Sequence, residues 1–141
     1  MKSVVLTALL LVLISCESKT LEEKEGISEE QALSTIENFF TALGSADTLL
    51  MQQSLTHDFY MFEHDEVWTI NELLELMPLT KGRKWSFKEV RFESAGHAGH
   101  ITYFNQGVIP SDRSWLESAL LINEDGSVKI KFLHSTKLYL K

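Results

Sequence analysis

The C-terminal end of the chain holds two alternating runs, Ser114 to Asn123 and Ser127 to Leu138, joined by Glu124-Asp125-Gly126. Asp-Gly between such runs is a strong hairpin signal, because glycine accepts the positive φ of a tight turn with no side chain to clash. In the second run Val128, Ile130, Phe132, His134, Thr136 and Leu138 fall on one face, while Lys129, Lys131, Ser135 and Lys137 fall on the other, since side chains alternate across a strand. This parity puts His134 on the buried side. A sheet face so apolar must be covered, and the segments that can cover it lie upstream.

Ser28-Glu29-Glu30-Gln31 is a capping-box pattern that opens a helix, and Ala32, Ile36, Phe39, Phe40 and Leu43 recur behind it at helical spacing, with Gly44 as terminator. Asp47 caps a shorter helix carrying Leu49, Leu50 and Leu55 that ends before His57. Thr69-Ile70-Asn71-Glu72 is a second capping box, leading a helix with Leu73, Leu74 and Met77 inside and Pro78 near its end. Between these helices, Asp58 to Phe62 and Glu66 to Trp68 read as a small hairpin or bent strand. Trp85 to Glu93 reads as a strand whose apolar phase slips between Phe87 and Val90, which predicts a bulge. A turn over Gly96 to Gly99 leads into His100 to Ile109, and Pro110-Ser111-Asp112 leads into the final hairpin. The pattern is α+β. With 141 residues, 44% of them hydrophobic and 23% charged, the chain suits one domain with one core.

The first residues carry a different message. Met1-Lys2 precedes the apolar run Val4 to Ile14, too short to span a bilayer core of roughly 30 Å but suited to the middle of a signal peptide. Leu13-Ile14-Ser15-Cys16 resembles the bacterial lipobox, which implies a diacylglyceryl thioether on Cys16 after cleavage between Ser15 and Cys16. The expected division is a signal peptide over 1–15, a lipidated N-terminus and flexible tether over 16–26, and a folded domain over 27–141. The protein would then sit in the bacterial cell envelope, held to a membrane by lipid. Cys16 is the single cysteine, so no intrachain disulfide forms and none remains for a zinc cluster or thiol catalysis. A formal charge of -7 argues against a nucleic-acid partner, which demands a basic surface.

The order helix, helix, short strands, helix, long strands is similar to that of the nuclear transport factor two-like superfamily, also called SnoaL-like or ketosteroid isomerase-like. The residues that carry the likeness are Ala32 to Leu43, Leu55-Thr56-His57-Asp58-Phe59, and Val128-Lys129-Ile130-Lys131-Phe132-Leu133-His134-Ser135. The resemblance implies a cone-shaped, curved antiparallel sheet wrapped around about three helices, with an open-ended cavity between them. It also implies a homodimer through the outer sheet face, where the alternate parity carries Leu116, Leu120 and Ile122.

His57 and Asp58 lie at the join between second helix and first strand, but neighbours on a strand face opposite ways and do not form a dyad. His134 would share an inner face with Tyr103, Asn105, Trp115 or Glu117, and buried polar groups of this kind imply either an internal hydrogen-bond network or a ligand. His134, Tyr103 and Trp115 would form the cavity wall. Catalysis of the isomerase kind needs a carboxylate base and an acidic donor. Asp58 or Glu117 could serve as base and Tyr103 or Tyr60 as donor, with no motif to decide. Glu63-His64-Asp65-Glu66 and His97-Ala98-Gly99-His100 could attract a metal, yet each lacks a third convergent ligand and reads as a solvated turn. Trp68, Trp85, Phe87, Phe92 and Phe104 serve either a pocket or the core. No cofactor is expected. The leading expectation is an envelope lipoprotein whose cavity binds a small, partly apolar ligand, or which acts as a dimeric scaffold; the alternative is a small isomerase, cyclase or dehydratase using a histidine or carboxylate base.

Overall fold

The computed structural model describes residues 26–110 and 113–139; the leader, Cys16 and nearly all of the tether fall outside the described residues. The elements are α1 Glu29–Ser45, α2 Thr48–Ser54, β1 Leu55–Glu63, β2 Glu66–Thr69, α3 Ile70–Thr80, β3 Lys84–Ala95, β4 Ala98–Ile109, β5 Ser114–Glu124 and β6 Ser127–Leu138.

Each helix begins where a side chain can satisfy its free amides. Ser28 Oγ accepts from the Gln31 amide at 3.2 Å while Gln31 Oε1 accepts from the Ser28 amide at 2.9 Å. Asp47 caps α2 through the Leu50 amide at 3.0 Å, and Thr69 with Glu72 forms the second capping box, at α3. Leu55, expected on α2, opens β1 instead. Gly44 does not end α1, which runs to Ser45 and stops at Ala46 in the left-handed region. The glycine is required for packing: a Cβ there would lie 2.4 Å from the carbonyl oxygen of Arg83, and the Gly44 carbonyl accepts from the Gly82 amide at 2.7 Å. Pro78 lies inside the last turn of α3, and Thr80 Oγ1 then donates to the Leu43 carbonyl at 2.8 Å, tying α3 to α1.

The strands form one curved, unclosed sheet in the order β2-β1-β6-β5-β4-β3. Every neighbouring pair is antiparallel except β1 and β6, which run parallel, so the sheet is mixed where an all-antiparallel one was expected. The concave face holds the core: Ile36, Phe39, Met51, Leu73 and Met77 from the helices pack on Ile101, Ala119, Leu121, Ile130 and Leu133 from the strands, all buried. Burial of this size contributes roughly 1.5–3 kcal/mol per large side chain, which fixes the helices in the hollow of the sheet.

Two bulges set which side chains face that hollow. In β3 the register with β4 slips between Lys88 and Arg91, with Glu89 at φ 51, where the phase shift in the sequence placed it. A second bulge was not foreseen. Leu121 pairs with Ile130 but Leu120 pairs with Phe132, leaving Lys131 without an opposite residue. One extra residue reverses the parity of the rest of the strand. Leu133 and Ser135 therefore turn inward, and Phe132, His134 and Thr136 lie on the outer face, opposite to the simple alternation.

The tight turn between β5 and β6 is as the sequence required, with Asp125 at φ 53 and Gly126 at φ 82 between the paired Glu124 and Ser127. At the same end of the sheet the chain enters the domain. Gly26 abuts the β3–β4 turn, where a Cβ on it would lie 3.2 Å from Ser94 Oγ and 3.3 Å from the Gly96 carbonyl oxygen.

Candidate functional site

Strand register lays the inner face out in cross-strand rows. Met61, Leu133, Ala119 and Ile101 are successive partners across β1, β6, β5 and β4, and they make an apolar row within the core. One step toward the opposite end, the next inward row is polar: Glu63, Ser135, Glu117 and Tyr103. Beyond it Trp115 pairs with Asn105, and Asn105 with Phe87. The polar row sits where the helices no longer fill the hollow. A cavity of about 280 Å³ opens there, close to the lower end of the usual range for ligand sites.

Phe39, Phe40 and Leu43 of α1 and Leu73, Leu76 and Leu79 of α3 line one side of this cavity, and all three tryptophans of the chain line it as well. Glu63, Asn105, Glu117 and Ser135 supply its polar wall, with Arg83 and Arg113 also facing it. A wider, shallower groove of about 750 Å³ lies between α1 and the start of β3, but none of its polar side chains is buried.

Glu117 is the centre of the polar wall. Asn105 Nδ2 and Ser135 Oγ both donate to its Oε1, each at 3.2 Å. Burial pushes its carboxyl up to about 7; Tyr103, Asn105 and Ser135 pull the other way, and the charge of Glu63 adds to the rise. The Tyr103 hydroxyl is near enough for phenol and carboxyl to perturb each other's titration, and burial followed by the Glu117 charge raises the phenol well above 10. It nevertheless sits outside hydrogen-bonding geometry, so Tyr103 Oη, Glu117 Oε2 and Asn105 Oδ1 are all buried without a partner. Three orphaned polar atoms behind the polar wall of an apolar cavity are exceptional, because buried polar groups are otherwise almost always bonded. A carboxyl that titrates near neutrality can give or take a proton there, and a phenol that keeps its proton can donate to an oxygen.

Of the residues singled out in the sequence, Asn105, Trp115 and Glu117 line this cavity, and Tyr103 is buried beside them as the register partner of Glu117. The others do not. His134 is exposed on the outer face, where it borders a groove of about 360 Å³ that Tyr103 and Glu117 also line; its ring is 6.1 Å from that of Phe62, and Tyr60 lies on that face too, 4.9 Å from Phe132. His57 is 85% exposed in its side chain, with Nδ1 4.0 Å from Glu124 Oε1. Asp58 is exposed at the other end of β1, where bonds from Lys131 and then Thr56 hold its carboxyl below the usual range. Among the described residues no three His, Cys, Asp or Glu side chains gather as a metal site. His100 Nε2 pairs with Ser118 Oγ at 2.9 Å on the outer face. Glu63 and Ser135 are the site residues that reading by alternation missed: Glu63 looked like part of a turn, and Ser135 was assigned outward. The one local signal was the apolar doublet Phe132-Leu133, which breaks alternation as Phe87 to Val90 does.

Fold and site together define an α+β cone whose unfilled end carries a buried acid and a phenol. No protein-family model matches the chain, and no curated protein matches it. Solved structures do. A provisionally named ketosteroid isomerase from Shewanella frigidimarina NCIMB 400 aligns at 25% identity and a TM-score of 0.65, over 77% of this chain and 96% of that one. A nuclear transport factor two-like protein from Cytophaga hutchinsonii ATCC 33406 aligns at 12% identity and 0.69, over 79% and 100%. A provisionally named dehydratase of the same family from Streptomyces avermitilis aligns at 10% identity and 0.69, over 79% and 96%. The chain is thus a nuclear transport factor two-like domain in fold.

Proposed function

We propose that the domain binds a small, partly apolar carbonyl compound in the inner cavity and moves a proton on it, as an isomerase or dehydratase does. The observation that carries this is the cluster of Glu117 and Asn105, which line the apolar cavity, with Tyr103, the register partner of Glu117, buried beside them. Glu117 takes a proton from carbon next to the carbonyl, or returns one to a departing hydroxyl. Tyr103 donates to the oxygen on which negative charge develops, and Asn105 and Ser135 hold the carboxyl in place. The names of the solved relatives, one an isomerase and one a dehydratase, are in keeping with this chemistry. The test is a panel of small cyclic ketones and their β-hydroxy derivatives, followed by proton NMR for deuterium uptake from heavy water and for loss of water. Glu117→Gln lowers the rate about a hundredfold or more, the usual contribution of a positioned base. An active compound processed equally well by Glu117→Gln, or a panel with no activity above buffer, overturns the reading.

Two further parts of the proposal concern where and how the domain works. Cys16 carries the lipid that holds it in the envelope, on the strength of the lipobox-like Leu13-Ile14-Ser15-Cys16. The outer sheet face is a dimer surface: Tyr60, Phe62 and Phe132 form an aromatic cluster with ring centroids 4.9–5.9 Å apart, and Leu116 and Leu120 extend it while still 52% and 38% exposed.

A further inference from the structure

Glu117 is buried, and a ligand in the cavity closes off the water beside it, so any proton it gains or gives must then travel by another route. We propose that Glu63 and His64 form a proton relay that joins the buried Glu117 to solvent. The inference rests on the acid–base reading above. Its geometry is independent of any substrate. Ser135 Oγ donates to Glu117 Oε1 at 3.2 Å, and Ser135 is the direct register partner of Glu63 on the neighbouring strand. Strand neighbours are separated by roughly 5 Å, and both side chains face the cavity. Glu63 Oε1 in turn lies 3.0 Å from His64 Nδ1, and the side-chain exposures rise along the path, from 19% at Glu63 to 47% at His64. His64 occupies the left-handed region at φ 58 in the turn from β1 to β2, a conformation uncommon outside glycine.

The other groups around the cavity leave few alternatives. Among the described residues, α1 and α3 present apolar side chains and Thr80 to it, and the charged groups besides Glu117 are Glu63, Arg83 and Arg113. Arginine does not give up its proton, and the Tyr103 phenol is held protonated. Ser135 accepts the Glu117 proton while passing its own hydroxyl proton to the Glu63 carboxylate. Glu63 then protonates His64 Nδ1, and the imidazolium releases its Nε2 proton to water. Recharging runs the same path backward.

The experiment uses the purified protein carrying ¹³C-labelled glutamate. The Glu117 carboxyl carbon is followed through a pH titration, and its exchange rate is measured by relaxation dispersion at the midpoint. Glu63→Gln, isosteric, and His64→Asn, which tolerates the left-handed turn, are each expected to slow that exchange about a hundredfold. Glu63→Gln also moves the Glu117 midpoint down, because the Glu63 charge helps to raise it. Unchanged exchange in both variants overturns the relay, and leaves the acid–base reading standing if Glu117→Gln still abolishes deuterium uptake. Slowed exchange with no activity defect in Glu117→Gln does the reverse.

Discussion

Tyr103 and Glu117 are direct partners in the β4–β5 ladder, and the phenol and carboxyl come together inside the cone without a hydrogen bond between them. A pair left unjoined in a dry interior is destabilising in the resting protein, and that sets the sign of the effects expected when either member is changed.

The first expectation is a stability that falls as pH rises. Glu117 has a folded-state value of about 7 against an ordinary 4.5. Between these values the folded protein keeps a proton that the unfolded chain has released. The stabilisation is therefore complete below about pH 4.5 and is lost as pH climbs through about 7. The difference corresponds to about 3 kcal/mol. In urea unfolding at pH 5 and pH 8, Glu117→Gln should flatten this dependence and exceed the native protein in stability at pH 8. Equal slopes in the two proteins would rule it out.

Tyr103→Phe removes a buried hydroxyl that has no partner. Its unfolding free energy should change by less than about 1 kcal/mol, or rise slightly, because only an unsatisfied group is deleted. Deuterium uptake by an active ketone should nonetheless drop about a hundredfold, as when one oxyanion donor is lost. A large loss of stability with unchanged turnover would reverse both roles.

Gly44→Ala tests the contact between α1 and the start of β3. Alanine is the better helix former by about 1 kcal/mol, so an exposed site would gain. Here the new methyl would stand 2.4 Å from the Arg83 carbonyl oxygen. Steric displacement should win, with a net loss of roughly 1–3 kcal/mol in thermal unfolding. A gain in melting temperature would show that the contact gives way easily.

On the outer face, light scattering at tens of micromolar should give a dimer mass for the native protein and a monomer mass for the double variant Leu116→Glu and Leu120→Glu, both exposed in the single chain. Circular dichroism should show the fold retained. A native monomer would remove the aromatic face as an interface. His134→Gln, on that same face, should leave binding in the cavity unaltered.

Much of the fold was legible because the deciding interactions are local. Both capping boxes, the Asp47 cap and the Asp125-Gly126 turn satisfy their own backbone within four residues, so the sequence alone specifies them. The site was only half legible. Tyr103, Asn105, Trp115 and Glu117 lie on β4 and β5, which pair in one unbroken register, so simple alternation gives their faces correctly. His134 lies beyond the unpaired Lys131, and its face is decided by how β6 meets β5 rather than by its own neighbours. Glu63 is harder still. Its place in the polar row comes from the parallel pairing of β1 with β6, an association between segments some seventy residues apart that leaves no mark in either.

The place where the chain enters the domain has a bearing on access. Gly26 rests against the turn that ends β3, whereas Trp85 and Arg83, beside the cavity, stand at or just before the strand's beginning. Twelve residues of strand separate the two, roughly 40 Å of backbone before curvature is allowed for. Gly26 thus lies at the end of the cone remote from its opening, as the foot of a cup lies from its rim. Entry to the cavity and entry of the chain into the domain are therefore kept apart by the length of the sheet, and a change at one leaves the other untouched.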